Sequence, residues 1–136
     1  VLVAPDPTSH LRFPGFPLKP YLSVFIPGWT GHPVYNGHWS ETADFVRKWN
    51  RANDFFRQGT DDTFRESLLR DHDIRYILYP NALAEGIPPY PNGAPVPDPA
   101  APYLPENWRG SSAPSYLKVL YENAEITVYE FVPNER

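Results

Sequence analysis

The chain contains no cysteine and no methionine among its 136 residues. Without cysteine it can form no disulfide and offers no thiolate as nucleophile or metal ligand. The chain begins with Val1 where an initiator methionine would stand, so we expect a piece excised from a longer protein. It also lacks any run of about 18 apolar residues, and a membrane-spanning helix is therefore not expected within this stretch.

Charge of either sign is not concentrated in any part of the sequence. The formal net charge is −4, and charged residues make up 21% of the chain. A nucleic-acid-binding domain needs a clustered basic face, and docking on anionic lipid needs the same, so we expect neither partner. The length fits one domain, residues 1–136, that is large enough to bury a core.

Complete catalytic motifs are absent from the sequence. It has no Gly-x-Ser-x-Gly elbow, no phosphate-binding loop, no dinucleotide fingerprint and no HExxH pair. The four aspartates that could serve acid–base catalysis fall at the ends of predicted helices, where capping and the helix dipole explain them: Asp61, Asp62, Asp71 and Asp73. We therefore predict no catalytic residue and no cofactor.

A metal site has one weak candidate. His32 and His38, together with Glu41 or Asp44, could supply nitrogen and oxygen ligands. The alternative is that His38 satisfies backbone groups at a corner between a strand and a helix. The spacing matches no known metal motif, so no metal is predicted.

Proline and aromatic residues are abundant. Seventeen of the 18 prolines fall into two blocks, residues 5–33 and 80–114, and aromatic residues account for 15% of the chain. Residues 81–113 show no periodicity and are predicted to be an insertion loop. Four large side chains indicate that this loop packs down on the domain: Tyr90, Tyr103, Leu104 and Trp108.

Helical periodicity appears twice. The first helix, capped by Ser40 or Thr42 and stopped by Gly59, has apolar residues at spacings of four, three and four. Those residues are Phe45, Trp49, Ala52 and Phe56. Thr60 is predicted to cap the second helix, with Thr63 and Glu66 as an alternative capping box. Its apolar stripe is Phe64, Leu68 and Leu69.

Strand patterns surround these helices. Residues 1–4, 32–36 and 74–79 are predicted strands, residues 116–121 and 126–131 a closing hairpin, and residues 21–26 either a helical turn or a short strand. Helices between strands imply crossover connections and parallel pairing. The sequence thus predicts an α/β domain with a small mixed sheet of about five strands, Rossmann-like crossover helices and a C-terminal β-hairpin.

The most distinctive stretch is residues 26–42, which read IPGWTGHPVYNGHWSET. Glycines at three positions indicate tight turns or close backbone approach. They could bring together four side chains with ligand-binding chemistry: Trp29, His32, His38 and Trp39. These four are the candidate ligand-binding residues, since tryptophan faces bind sugar rings, although they build structural corners equally well.

The same stretch carries a resemblance to a known family. Its pattern I-P-x-x-T-G-x-x-V-Y-x-G-H-W-x-E-T is followed by Phe-Phe-x-x-Gly-Thr at residues 55–60 and by a strand at residues 73–77. A hairpin of the type Leu-Lys-Val-Leu-Tyr-Glu-Asn closes the pattern. The chain resembles the C-terminal soluble domain of multispanning bacterial membrane proteins similar to C-type, lipid-phosphate-sugar-dependent, mannosyltransferase-like glycosyltransferases. The insertion loop lies outside the resemblance.

The resemblance implies a domain on the extracytoplasmic face of a bacterial membrane. The transmembrane part of the same polypeptide would be one partner, and a glycan or lipid-linked sugar another. Catalytic acids of such enzymes lie in the membrane part, and no residue here matches them. The expected function is that of a non-catalytic accessory domain that contacts acceptor glycan or covers the membrane-embedded site. The alternative is a structural or protein-interaction domain without a ligand.

Overall fold

The computed structural model describes residues 1–4, 25–37, 42–81, 108, 112–124 and 126–133. Seven elements follow one another along these residues. They are β1 (Leu2–Val3), α1 (Ile26–Thr30), α2 (Phe45–Phe56), α3 (Asp62–Asp71), β2 (Tyr76–Pro80), β3 (Leu117–Glu122) and β4 (Ile126–Phe131).

The strands form one four-stranded mixed sheet in the order β1-β2-β4-β3. β1 runs parallel to β2, with Leu2 opposite Ile77. β4 is antiparallel to both of its neighbours. The predicted hairpin is confirmed and forms the outer half of the sheet. Its two strands are out of step by one residue, because a β-bulge lies between Val119 and Tyr121.

The first predicted helix is confirmed as α2. The four residues of its predicted apolar face are all buried. Its predicted N-terminal cap is wrong for Thr42, because the helix begins after Asp44, whose backbone takes the left-handed conformation at φ 54°. Ser40 lies outside the described residues. The helix ends at Phe56, and Gly59 (φ 75°) instead lies in the turn that follows.

The second predicted helix is confirmed as α3, one residue later than expected. Asp61, and neither Thr60 nor Thr63, provides the cap, because its carboxylate accepts a hydrogen bond from the Thr63 N–H at 2.8 Å. An aspartate at this position satisfies an end donor and also favours the positive end of the helix dipole. Leu68 and Leu69 of the predicted stripe are fully buried.

The predicted strand at residues 32–36 is wrong. This segment is irregular, yet it lies along the outer edge of β1: the Val1 amino group donates to Pro33 O, and Tyr35 N–H donates to Val1 O. Farther along the edge, the Asn36 side chain pairs with the backbone of Val3: its Nδ2 donates to Val3 O at 3.0 Å, and its Oδ1 accepts from Val3 N. This amide side chain thereby makes the two hydrogen bonds that the backbone of a neighbouring strand residue would make.

Trp108 confirms that part of the insertion loop packs on the domain. It is 1% exposed and lies among four aromatic rings of the core. Those rings belong to Phe55, Phe56, Tyr79 and Tyr129. The other three residues expected to pack down, Tyr90, Tyr103 and Leu104, lie outside the described residues.

The fold class is therefore α/β with an open mixed sheet. Four strands are described where about five were predicted, and the missing one is the irregular segment beside β1. Both α2 and α3 fall between the parallel strands β1 and β2 in the chain. The Rossmann-like character of that connection stays a prediction. Within the described part of the chain, no helix has the length and apolarity needed to cross a bilayer.

Candidate ligand-binding surface

The short helix α1 was not predicted, and it carries the first candidate residue. A proline stands in its first turn, where a missing N–H costs nothing. Gly31 ends it in the left-handed conformation (φ 71°) and donates its N–H to Pro27 O at 2.9 Å. None of the five helical residues is fully buried, so α1 stands out from the core.

Among the described residues, Trp29 is the most exposed large apolar side chain, at 75%. Its ring stacks on that of Phe25, four residues earlier, with centroids 5.2 Å apart and planes inclined by 18°. Residues four apart meet on one helix face, so the pair forms through local spacing alone. Phe25 is itself 50% exposed. Since Phe25 covers one face of the indole, the exposed area leaves the other face accessible to a ligand.

His32 lies beyond the end of α1 and contacts a different ring. Its backbone N–H donates to Thr30 Oγ1 at 3.1 Å, which fixes the turn. Its imidazole makes an edge contact with the ring of Tyr76, with the ring centroids 5.9 Å apart. The predicted convergence of the candidate residues is therefore not seen as a direct contact here: Trp29 stacks on Phe25, whereas His32 contacts the sheet. His38 and Trp39 lie outside the described residues.

A polar strip continues from His32 across the sheet. The Arg75 guanidinium lies over the Tyr76 ring at 5.3 Å, and its Nε and Nη2 donate to Glu130 Oε1 at 3.0 and 2.8 Å. The Glu130 hydrogen bonds raise the pKa of the already cationic Arg75. The sequence does not reveal this strip, because Arg75 and Glu130 are 55 positions apart and meet only through the pairing of β2 with β4.

The same ion pair borders an open groove of about 490 Å³. The groove has apolar walls from Leu69, Ile74 and Phe131 and ends at Val132 and Pro133. Its two arginines are already paired, since Arg75 binds Glu130 and Arg70 contacts Glu66, and Asp73 also lines the groove.

A second histidine lies against α2. The His72 ring is 4.9 Å from that of Tyr35, and Lys48 lies over the same tyrosine ring at 5.8 Å. Partial burial lowers the pKa of His72, and the nearby cation Arg51 lowers it further. Burial also raises the pKa of the Tyr35 phenol, an effect that Arg51 partly offsets. Both rings are therefore held in their neutral forms near pH 7.

The glycines of the distinctive stretch divide into two kinds. A side chain at Gly37 would lie 2.8 Å from Thr42 Oγ1 and 3.1 Å from Val34 Cγ2, so close packing requires glycine there. Gly31 is required by its left-handed backbone. Gly28 has open space around it, and no packing reason accounts for it. Two of the three glycines thus have a structural reason, one in packing and one in backbone conformation.

Within the described residues, no group of three or more histidine and carboxylate side chains is placed to hold a metal ion. His38 and Glu41, two of the four side chains weighed as ligands, lie outside those residues.

Comparison with known proteins adds no assignment. No protein-family model matches the chain, and neither the curated proteins nor the solved structures give a match.

Proposed function

We propose that this domain is a non-catalytic accessory domain of an integral-membrane, glycosyltransferase-like protein, and that it contacts acceptor glycan through Trp29. It would lie on the extracytoplasmic face of a bacterial membrane, beside the transmembrane part of the same polypeptide. The sequence resemblance supports this placement, and the Rossmann-like crossover belongs to the same proposal. The observation that carries the glycan contact is the exposed stack of Trp29 on Phe25.

The chemistry of the stack suits a sugar. The face of an indole ring carries partial negative charge and attracts the polarised C–H groups on one side of a pyranose. The apolar face of a pyranose ring packs best on a flat, rigid surface. Phe25 holds the indole of Trp29 rigid by stacking on one face, with ring centroids 5.2 Å apart, and the sugar would pack on the other face. The exposed His32 lies three residues along the chain and offers ring nitrogens for sugar hydroxyls.

The described residues give no support to catalysis by this domain itself. Three of its carboxylates have structural partners: Asp61 caps α3, Asp62 holds Arg65 and Tyr116, and Glu130 holds Arg75. A hydrolytic pair would instead need two carboxylates facing one cleft. The function proposed here is accordingly binding and positioning.

A panel of neutral oligosaccharides tests the glycan contact. We expect a saturable change in tryptophan fluorescence with at least one glycan class. Trp29→Ala should weaken that binding at least about tenfold, which corresponds to roughly 1.4 kcal/mol. Phe25→Leu should weaken it less, because the indole remains and only its support changes.

Val46→Ala is the matched control, since Val46 is a 57% exposed apolar residue on a different helix. It should leave the binding unchanged. Unchanged fluorescence across the whole panel, or equal binding by the Trp29→Ala protein, would refute the glycan contact.

The alternative, an interaction domain that docks on the membrane part or on a second copy, has one observation in its favour. The edge strand β3 exposes three consecutive apolar side chains, Val119, Leu120 and Tyr121.

A further inference from the structure

The two outer edges of the sheet are treated differently. At β1, the irregular segment 33–36 and the Asn36 amide pair with the outward backbone groups. β3 is the outermost strand at the other end of the described sheet, and five of its six residues are exposed. Val119 is 40% exposed, Leu120 46% and Tyr121 52%. An edge strand with three consecutive exposed apolar side chains is a template for pairing with another strand.

The β-bulge determines which side chains share a face of β3. Val119 lies opposite the buried Tyr129, whereas Tyr121 lies opposite Val128. Directly opposed residues of an antiparallel pair point to the same face. Val119 and Tyr121 therefore point to opposite faces, although residues two apart in a regular strand would share one.

The remaining residues of β3 follow from the same register. Lys118 lies opposite Glu130, which shares a face with Val128, so Lys118 and Tyr121 point to one face. Leu117 and Glu122 lie opposite Phe131 and Thr127, so these two point to the other face. Lys118 thus shares a face with Tyr121, and Leu117 shares a face with Glu122, and both pairs are centred on the bond between Val119 and Leu120.

We propose that β3 pairs with β3 of a second copy of this chain, antiparallel and across a two-fold axis between Val119 and Leu120. Lys118 then lies opposite Tyr121 of the second copy, and Val119 lies opposite its Leu120. In this arrangement Lys118 and the opposing Tyr121 point to one face of the sheet, and Leu117 and the opposing Glu122 point to the other, as the pairing of β3 with β4 requires. A shift by one residue in either direction would place Lys118 opposite Glu122 or Leu117 opposite Tyr121, side chains that point to different faces, so the bulge disfavours both neighbouring registers.

Charge favours the same arrangement. β3 has a cation near its start at Lys118 and an anion at its end at Glu122. Antiparallel pairing brings the cationic end of one strand to the anionic end of the other, whereas parallel pairing would place like charges side by side. Lys118 also meets an aromatic ring, that of Tyr121 from the second copy, which attracts a cation. A bulge and a lysine on an edge strand discourage pairing with unrelated strands. In the proposed register, both are compatible with pairing between two copies of β3.

This inference gives the interaction alternative a defined surface, and it does not depend on glycan contact. The two can therefore fail separately: Trp29→Ala should abolish glycan binding and leave self-association intact. A closed two-fold dimer also uses up the exposed edge in both copies, which prevents further growth into fibres.

Sedimentation equilibrium of the 136-residue chain over a concentration series tests the proposal. We expect a monomer–dimer equilibrium. Val119→Lys and Leu120→Glu should each lower the association constant at least about tenfold, because each places a charge opposite an apolar side chain. Val46→Lys, an equally drastic change at an exposed site on α2, should leave it unchanged.

The double variant Val119→Lys with Leu120→Glu tests the register. In the proposed register each new lysine opposes a new glutamate, so the double variant should recover much of the association lost by the single variants. Far-UV circular dichroism verifies that each variant is folded, and concentration-dependent protection of β3 amides from hydrogen exchange provides a readout on the unmodified protein. A monomer at all concentrations, single variants that dimerise normally, or a double variant without recovery would each overturn the proposal.

Discussion

The Tyr129 hydroxyl donates a hydrogen bond to the backbone carbonyl oxygen of Trp108 at 2.8 Å. The ring of Trp108 meets that of Tyr129 edge-on, with centroids 6.2 Å apart at 87°. One residue near the C-terminal end of the proline-rich insertion is thereby fixed to the inner strand β4 by both its backbone and its side chain. Trp108 closes the aromatic core, and the Tyr129 hydroxyl satisfies a buried carbonyl.

We expect Trp108→Ala to lower the free energy of unfolding by about 3–5 kcal/mol, the range for removing a buried tryptophan. Tyr129→Phe should cost only about 1–2 kcal/mol, because the ring stays and one carbonyl loses its donor. Urea unfolding followed by circular dichroism measures both. A loss below about 1 kcal/mol for Trp108→Ala would show that the insertion does not contribute to the core.

Arg65 joins α2, α3 and the core. Its side chain is 3% exposed, and it donates to Phe55 O, Arg57 O and Asp62 Oδ1 at 2.8–3.0 Å. Its guanidinium also lies over the Trp108 ring at 5.2 Å. Arg65→Met should lower the free energy of unfolding by about 2–4 kcal/mol, because it leaves buried carbonyls without donors.

Arg65→Lys should recover little of that loss, because an ammonium group lacks the planar fork that reaches three acceptors. Arg70→Met on the exposed side of the same helix is the control and should cost less than about 0.5 kcal/mol. Equal unfolding midpoints for the Arg65→Met and Arg70→Met proteins in urea would contradict this role.

Replacing the Asn36 amide by a carboxylate of nearly the same size should destabilise the fold. In Asn36→Asp the group that donates to Val3 O becomes a carboxylate oxygen, which cannot donate and lies in a fully buried position. We expect a loss of about 1–3 kcal/mol at pH 7. The loss should shrink near pH 4, where a protonated carboxyl group can donate again.

Asn50→Asp, at an exposed position of α2, serves as the control and should have little effect at either pH. Thermal unfolding at the two pH values measures both variants. A similar, pH-independent cost for the two variants would contradict the role of the Asn36 amide at the edge of β1.

His72 should titrate below its ordinary value of 6.5, because burial, and then Arg51, lowers its pKa. Lys48 and Arg47 act in the same direction, and Asp71 opposes them. Since the unfolded chain then binds the proton more readily, this histidine destabilises the fold as pH falls from about 6.5 through the folded pKa. Proton NMR of the imidazole measures the midpoint directly.

Arg51→Gln should move the His72 midpoint upward, and Arg57→Gln, which is not among the charges acting on this ring, should leave it in place. A midpoint at or above 6.5 in the unmodified protein would contradict the described surroundings of His72.

The regular elements could be predicted because they depend on local patterns. Each of these elements has a periodic pattern of apolar residues in the sequence: the 4-3-4 spacing of α2, the apolar stripe of α3 and the apolar strands of the hairpin. The helix starts were harder to predict, since Asp61 stands beside Thr60, which caps equally well in isolation, and α2 begins after Asp44 without any side-chain cap. Which residue caps a helix depends on how the preceding chain enters it.

The irregular features depend on contacts between distant residues. Residues 32–36 have the composition of a strand, but the Asn36 amide and a few backbone groups satisfy the edge of β1 instead. The Arg75–Glu130 pair exists only because β2 lies beside β4. The exposure of Trp29 and its stacking on Phe25 follow from the five-residue helix α1. This helix was hard to predict, because its sequence contains Pro27 and Gly28, which are unfavourable in most helices.

The indole N–H resonance of Trp29 provides the most direct test of glycan contact. The chain has four tryptophans, so a nitrogen–proton correlation spectrum should contain four indole signals, and Trp29→Phe identifies the one that matters. We expect a neutral oligosaccharide to shift the Trp29 signal saturably and the signal of the buried Trp108 hardly at all. Four unmoved indole signals across a broad glycan panel would contradict the proposed function.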